Sequence, residues 1–190
     1  MQIIWKNLQE LSDLPRRFRC SYCEREVASN KGYAANANFY RIYICPGCNC
    51  ATFFLNGRQY PGVAFGSKVR NVPAEVGELY EEARRCISVS SYTASVLICR
   101  KILMNLAVDK GAKPNMVFVK YVEFLSENHY VPPDGQAWVD HIREKGNEAT
   151  HEIQPMSRQD AELLVRFVEM LLRFVYEFPS LVPSAEASTT

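Results

Sequence analysis

The sequence predicts a mainly α protein, a bundle of four to five helices preceded by a small β-rich module. Three observations predict it. Five of the seven cysteines fall within thirty-one residues near the amino end. The stretches around them are rich in aromatic and β-branched residues, which favour short strands. From Pro73 onward the apolar residues recur at helical spacing, punctuated by glycine and proline. The chain accordingly divides into a cysteine module at residues 1–58, a linker at 59–72, a helical bundle at 73–180 and a frayed polar tail at 181–190.

A chain of 190 residues with 47% hydrophobic content can bury a sizeable core, which excludes wholesale disorder. No uninterrupted apolar run reaches the roughly 20 residues needed to cross a bilayer. The opening "MQIIWKNLQELSD" turns polar too soon for a secretory signal, so the expectation is a cytoplasmic protein with no membrane partner. The formal charge of +1 hides an asymmetry, since residues 1–70 carry a net +6 and residues 71–190 a net −5. A basic first part can attract nucleic acid phosphates. Equally, the two parts can simply attract each other.

The cysteine module carries "CSYC" (Cys20, Cys23) and "CPGC" (Cys45, Cys48), with Cys50 close behind. Two C-x-x-C pairs about twenty residues apart match a four-thiolate zinc site, each pair reaching the ion from a tight turn. Cys20, Cys23, Cys45 and Cys48 are the expected ligands, with Cys50 as an alternative to Cys48. Two disulfides would need an oxidising compartment, for which nothing in the sequence argues. Four thiolates leave no position for water, so the expected zinc is structural. "NFYRIYI" (38–44) and "ATFFLNG" read as strands, the second closed by the hairpin dipeptide Asn56-Gly57. Arg16, Arg17 and Arg19 form a basic edge beside Cys20, suited to RNA or DNA, to an acidic partner, or simply to solvent. Cys86 and Cys99 fall in helical segments and read as small buried apolar residues.

Five helical segments follow the linker. "PAEVGELYEEARRCISV" opens on Pro73 with acids early and arginines late. "SYTASVLICRKILMNLAVDKGA" runs from a serine cap to Gly111 and is apolar nearly all round. "MVFVKYVEFLSENH" precedes Pro132-Pro133, and "GQAWVDHIREKGNEATHEI" precedes Pro155. In the last, Ser157 and Asp160 form a capping pattern, and "RQDAELLVRFVEMLLRFVYEF" continues to Pro179. Its polar residues Glu162, Arg166, Glu169, Arg173 and Glu177 make one narrow stripe. The remaining apolar surface exceeds what one side of a small bundle covers, which predicts a homodimer.

The fourth segment contains "HIREKGNEATHE", with Arg143, Asn147 and His151 at intervals of four. In a continuous helix Trp138, Ile142, Ala149 and Ile153 share a sector about 60° wide, a core stripe. The trio falls at about 140°, 180° and 220° from Trp138, opposite that core. Alternatively Gly146 ends one helix and Asn147 caps the next. No helix rich in Arg, Asn or Gln suggests a sequence-specific DNA reader.

The pattern from "YPG" through "ELYEEA", "TASVLICRKIL", "IREKGNEATHE" and "DAELLVRFVEMLLRFVYEFP" resembles the bacterial domain of unknown function 4145, over about residues 60–180. Its most specific element is R-x-x-G-N-x-x-x-H, on Arg143, Gly146, Asn147 and His151, with Arg100 matching a further arginine. That family is all-helical, is often preceded by a zinc ribbon, and is similar to the HEPN superfamily. The resemblance implies a HEPN-like bundle that pairs as a dimer and acts as a metal-independent ribonuclease in toxin-antitoxin or phage-defence systems. It implies RNA as substrate and a cognate antitoxin or defence-system protein as partner. On this reading His151 is the general base, Arg143 stabilises phosphate charge, Asn147 orients the histidine or the ribose, and Arg100 adds positive charge. Seven residues separate Arg143 from His151, against four to six in that superfamily. The alternative is a catalytically silent dimeric module that recruits a partner.

Overall fold

A computed structural model describes residues 3–11, 13–35, 39–132, 135, 138–142 and 155–181. The chain forms two compact units, Met1–Ala64 and Phe65–Thr190. The division falls inside the segment that reads as a linker.

Among the described residues the first unit holds seven short strands: β1 (Gln9–Glu10), β2 (Arg16–Arg19), β3 (Glu26–Ser29), β4 (Lys31–Ala34), β5 (Tyr40–Ile44), β6 (Ala51–Leu55) and β7 (Arg58–Tyr60). β2 and β3 pair as a hairpin, and the others form an antiparallel sheet in the order β1-β4-β5-β6-β7. Asn56 and Gly57 both take positive φ, 49° and 79°, and set Leu55 opposite Arg58. This is the two-residue turn that an Asn-Gly dipeptide favours. A Cβ on Gly32 would lie 1.8 Å from the Ile42 carbonyl oxygen, so β4 approaches β5 only because that residue has no side chain.

Strand alternation divides the side chains between two faces. Inside, Phe18, Tyr43 and Phe54 pack edge-on or tilted, with Phe54 centroids 5.4 Å from Phe18 and 5.6 Å from Tyr43. Cys20 and Cys45 are buried in the same cluster. Outside, the register sets Tyr33, Ile42, Phe53 and Tyr60 in one row across four strands, with Tyr40, Leu55 and Arg58 in the next. Three buried aromatic rings are a small core for this length of chain, and a bound metal is the usual supplement.

The second unit contains α1 (Ala74–Ser88), α2 (Tyr92–Asp109), α3 (Phe118–Glu127) and α4 (Arg158–Leu172). Residues 138–142 are also helical. α2 packs against α1, α3 and α4, which is why its sequence is apolar nearly all round. Val96, Cys99, Ile102, Leu103 and Leu106 of α2 are buried between its neighbours. Ser91 stands at the α2 N-cap but makes no side-chain capping bond, unlike the expectation. Ser157 does cap α4, its Oγ accepting the Asp160 N–H at 3.1 Å. Val139 and Ile142 are buried, and Trp138 meets Phe167 edge-on at 5.8 Å. Ala149 and Ile153, the rest of the expected core stripe, lie outside the described residues.

Two expectations change here. The segment read as a linker is structural: Arg58–Tyr60 is an edge strand, while Phe65, Val69 and Val72 pack on the helical core. Arg84, which reads as a charge near the end of α1, is fully buried and ties that loop down. Its guanidinium donates to the carbonyls of Phe65 and Gly66 at 2.8 Å each, and to both Glu81 oxygens at 2.7 and 2.9 Å.

The final helix also differs. α4 gives way at Arg173–Glu177 to a π-helical turn rather than running unbroken to Pro179. Part of its polar stripe seats residues 65–72. Glu169 accepts the Ser67 N–H at 2.9 Å and the Tyr80 hydroxyl at 3.2 Å, and pairs with Arg173 at 2.9 Å. A Cβ on Gly66 would stand 2.7 Å from that carboxylate. Leu164, Phe167, Val168, Leu171 and Leu172 are buried within the chain, whereas Phe174 and Phe178 remain 53% and 49% exposed. Among the described residues, the apolar excess behind the homodimer expectation is thus reduced to those two exposed rings and half-buried Leu163 and Val175.

Candidate metal centre

Cys20, Cys23, Cys45 and Cys48 come together, their sulfurs all within 4.8 Å of one another. Each pair lies on a tight turn, and the two turns share one hydrogen-bond plan. The Glu24 N–H bonds the Cys20 carbonyl and the Asn49 N–H bonds the Cys45 carbonyl, both at 2.8 Å. The Cys20 N–H donates to Arg25 O and the Cys45 N–H to Cys50 O, both at 2.9 Å. Glu24 and Asn49 hold positive φ, 57° and 61°, which reverses the chain after the second cysteine of each pair. Asparagine tolerates that conformation, and glutamate there is uncommon.

The same plan decides between Cys48 and Cys50. Cys50 occupies the position of Arg25, past the reversal, and its sulfur lies 3.7 Å from the Cys48 carbonyl. Cys48 occupies the position of Cys23, facing the other sulfurs.

The donor set fits a tetrahedral ion. Zinc–sulfur bonds of about 2.3 Å put tetrahedral sulfurs about 3.8 Å apart. The Cys20–Cys48 and Cys23–Cys45 separations are 3.6 and 3.8 Å. A disulfide needs about 2.05 Å, and all seven cysteines are free thiols. Backbone N–H groups point at the sulfurs, as the 3.3 Å bond from Gly47 N to Cys45 Sγ shows. Such donors stabilise thiolates.

The thiols respond unequally to this environment. Burial pushes Cys20 and Cys48 up from the ordinary thiol value. At Cys23 burial acts in the same direction, but bonds from the Arg25 backbone and from the neighbouring sulfurs outweigh it, and the net shift is downward. Four adjacent thiolates repel one another, so a divalent cation is the natural counter-charge and its binding expels protons.

Of the three arginines singled out beside this centre, Arg19 alone is tied to a cysteine turn, through Glu24. Arg16 lies 4.0 Å over the Phe54 ring and donates to Gly57 O at 2.9 Å. Arg19 donates to Glu24 O at 3.0 Å and pairs with its carboxylate at 3.4 Å. Arg17 shares the exposed face of β2 with Arg19, opposite Arg16. Strand alternation therefore splits the "RRFR" run, turning Arg16 toward Phe54 and leaving Arg17 and Arg19 on the other face, where Arg19 pairs with Glu24.

In the helical unit, Arg100 lies 4.3 Å over the Phe118 ring, half-buried, and burial lowers its pKa. Cys99 is buried, as its sequence position suggests, and burial raises its pKa. Cys86 is only half-buried. Arg143, Gly146, Asn147 and His151 lie outside the described residues. Just before them, His141 Nε2 stands 3.3 Å from Asp160 Oδ1, linking residues 138–142 to the start of α4. Sequence reasoning passes over this pair because the partners are nineteen residues apart.

The model of a domain of unknown function, DUF4145, matches residues 81–188. No curated protein and no solved structure matches the chain. No described helix is long and apolar enough to cross a membrane. The family match spans more than half of the chain, from the middle of α1 past the end of α4, and the protein belongs to the DUF4145 family.

Proposed function

We propose that this is a nucleic-acid-associated protein, a zinc ribbon carrying a structural zinc joined to a HEPN-like bundle that works as a metal-independent endoribonuclease of the toxin or phage-defence type. The observation that carries this reading is the closed four-thiol set in a chain whose helical unit belongs to the DUF4145 family. Cys20, Cys23, Cys45 and Cys48 fill a tetrahedral coordination sphere and leave no position for water. Zinc held there supplies folding energy rather than a nucleophile, and the chemistry falls to the helical unit.

Arg143, Asn147 and His151 lie within the family match. A histidine with a pKa of about 6.5 withdraws the proton of a ribose 2′-hydroxyl near neutral pH. The alkoxide attacks the adjacent phosphorus, the 5′-oxygen leaves, and a 2′,3′-cyclic phosphate remains. Arg143 stabilises the charge that develops on the phosphate, and Asn147 orients the imidazole or the ribose. Half-buried Arg100 offers a second cation in a medium of reduced dielectric, where charge interactions are stronger than in water. Two copies bring these groups into a shared cleft, and a cognate antitoxin or defence-system protein restrains them.

The experiment is expression of the wild type and His151→Ala in a bacterial host, followed by growth measurement and sequencing of cellular RNA ends. Slowed growth and new ends with the wild type alone support the reading. The second reading, a silent dimeric binding module, is favoured by the seven-residue interval between Arg143 and His151. It wins if neither protein yields new ends while both form equal dimers.

A further inference from the structure

The outer face of the five-stranded sheet carries flat rings where most sheets carry charge. Tyr33, Ile42, Phe53 and Tyr60 share one cross-strand row, and Tyr40 joins Leu55 and Arg58 in the next. The Tyr40 and Phe53 rings are nearly parallel, 14° apart in plane at 6.2 Å, and Phe53 lies 6.2 Å from Tyr60. Tyr40 is 45% exposed and Tyr60 38%. The Arg58 guanidinium lies 5.3 Å over the Tyr60 ring at the far edge. A hollow of about 390 Å³ opens beside these rings, lined by Tyr33, Ala34, Tyr40, Arg41, Ile42 and Phe53.

Charge selects the occupant. Neither row contains an acidic residue. Residues 1–64 carry eight Lys and Arg against four acids, a net +4, which zinc on four thiolates would reduce to about +2. An apolar peptide would leave the net positive charge of the unit without a counterpart. A nucleic acid duplex would offer phosphates but keep its bases stacked inside, leaving the rings nothing to meet. A single strand offers both together, π faces for the rings and phosphates for the cations.

We propose that this face is a stacking platform for single-stranded nucleic acid, with Tyr40, Phe53 and Tyr60 receiving bases and Arg58 a phosphate. The platform stands on the first unit alone and does not depend on ribonuclease activity in the second.

The test is fluorescence anisotropy with the full-length, zinc-loaded protein and fluorescein-labelled 12-nucleotide strands of RNA and DNA, beside the matching duplexes. His151→Ala is measured in parallel, so that cleavage of the probe and loss of the platform are distinguishable. Base stacking of this kind predicts about five- to 150-fold weaker binding for Tyr40→Ala and Tyr60→Ala, with Tyr60→Phe close to wild type. Arg58→Gln should flatten the salt dependence by about 0.7 in slope. Zinc content equal to wild type establishes that each variant is folded. Binding of RNA or DNA strands with this pattern supports the platform. Preference for duplex, strand binding unchanged in both alanine variants, or no binding to any strand overturns it, the last leaving the face to a protein partner.

Discussion

Cys50 stands in the second metal turn where Arg25 stands in the first, each accepting the N–H of the leading cysteine at 2.9 Å. The equivalence assigns Cys50 a backbone role and Cys48 the fourth sulfur. Cys50→Ser should therefore keep the full complement of metal, and Cys48→Ser should lose most of it. Metal content of the two purified variants checks this directly.

Metal removal should act on one unit. Structural zinc is worth on the order of 10–16 kcal/mol in small domains, and the first unit has only a small aromatic core to set beside it. Chelation should abolish the strand contribution and the dispersion of first-unit amide signals while helical circular dichroism persists. Acid should do the same, because protons compete for the thiolates. Sulfur coordination thus favours the folded unit at neutral pH and is lost as pH falls.

Tyr80 should make stability sensitive to alkali. Its hydroxyl donates to Ser67 O at 2.9 Å and to Glu169 at 3.2 Å. Burial, and after it the Glu169 charge, hold its pKa well above the usual 10. A raised pKa means that this stabilisation is complete below about pH 10 and fades as pH climbs beyond it. Tyr80→Phe should cost about 1–3 kcal/mol at pH 7 by leaving Glu169 and the Ser67 carbonyl short of a donor. The gap from wild type should narrow above pH 10, as urea titrations at a series of pH values would show.

Arg84→Met should destabilise the helical unit by about 3 kcal/mol, the lower end for breaking a buried pair because Glu81 is partly exposed. The variant should also loosen residues 65–72, which hydrogen exchange at those amides would report. Arg84→Lys should recover little, since one ammonium cannot reach two carbonyls and a carboxylate in the same fork.

The four-cysteine cluster is legible in the sequence because its signals are local. Two C-x-x-C pairs start twenty-five residues apart, at Cys20 and Cys45, each followed by a residue that reverses the chain, and Asn56-Gly57 names its own turn. The Ser157 cap is legible for the same reason. What escapes a sequence reading is set by distant partners. Arg84 looks like a surface charge until the Phe65 and Gly66 carbonyls close over it, and the Glu169 stripe looks solvated until the Ser67 loop lands on it. The "RRFR" run looks like one basic edge because charge counting ignores strand alternation, which sends Arg16 onto Phe54. The aromatic row is invisible in any single strand, since its members come from four.

The most direct measurement is the chemistry of the RNA ends left by purified protein in buffer without added divalent metal. The account predicts fragments with 2′,3′-cyclic phosphate from the wild type, and none from His151→Ala or Arg143→Ala at equal zinc content. Intact RNA with the wild type, or the same fragments from all three proteins, would contradict it.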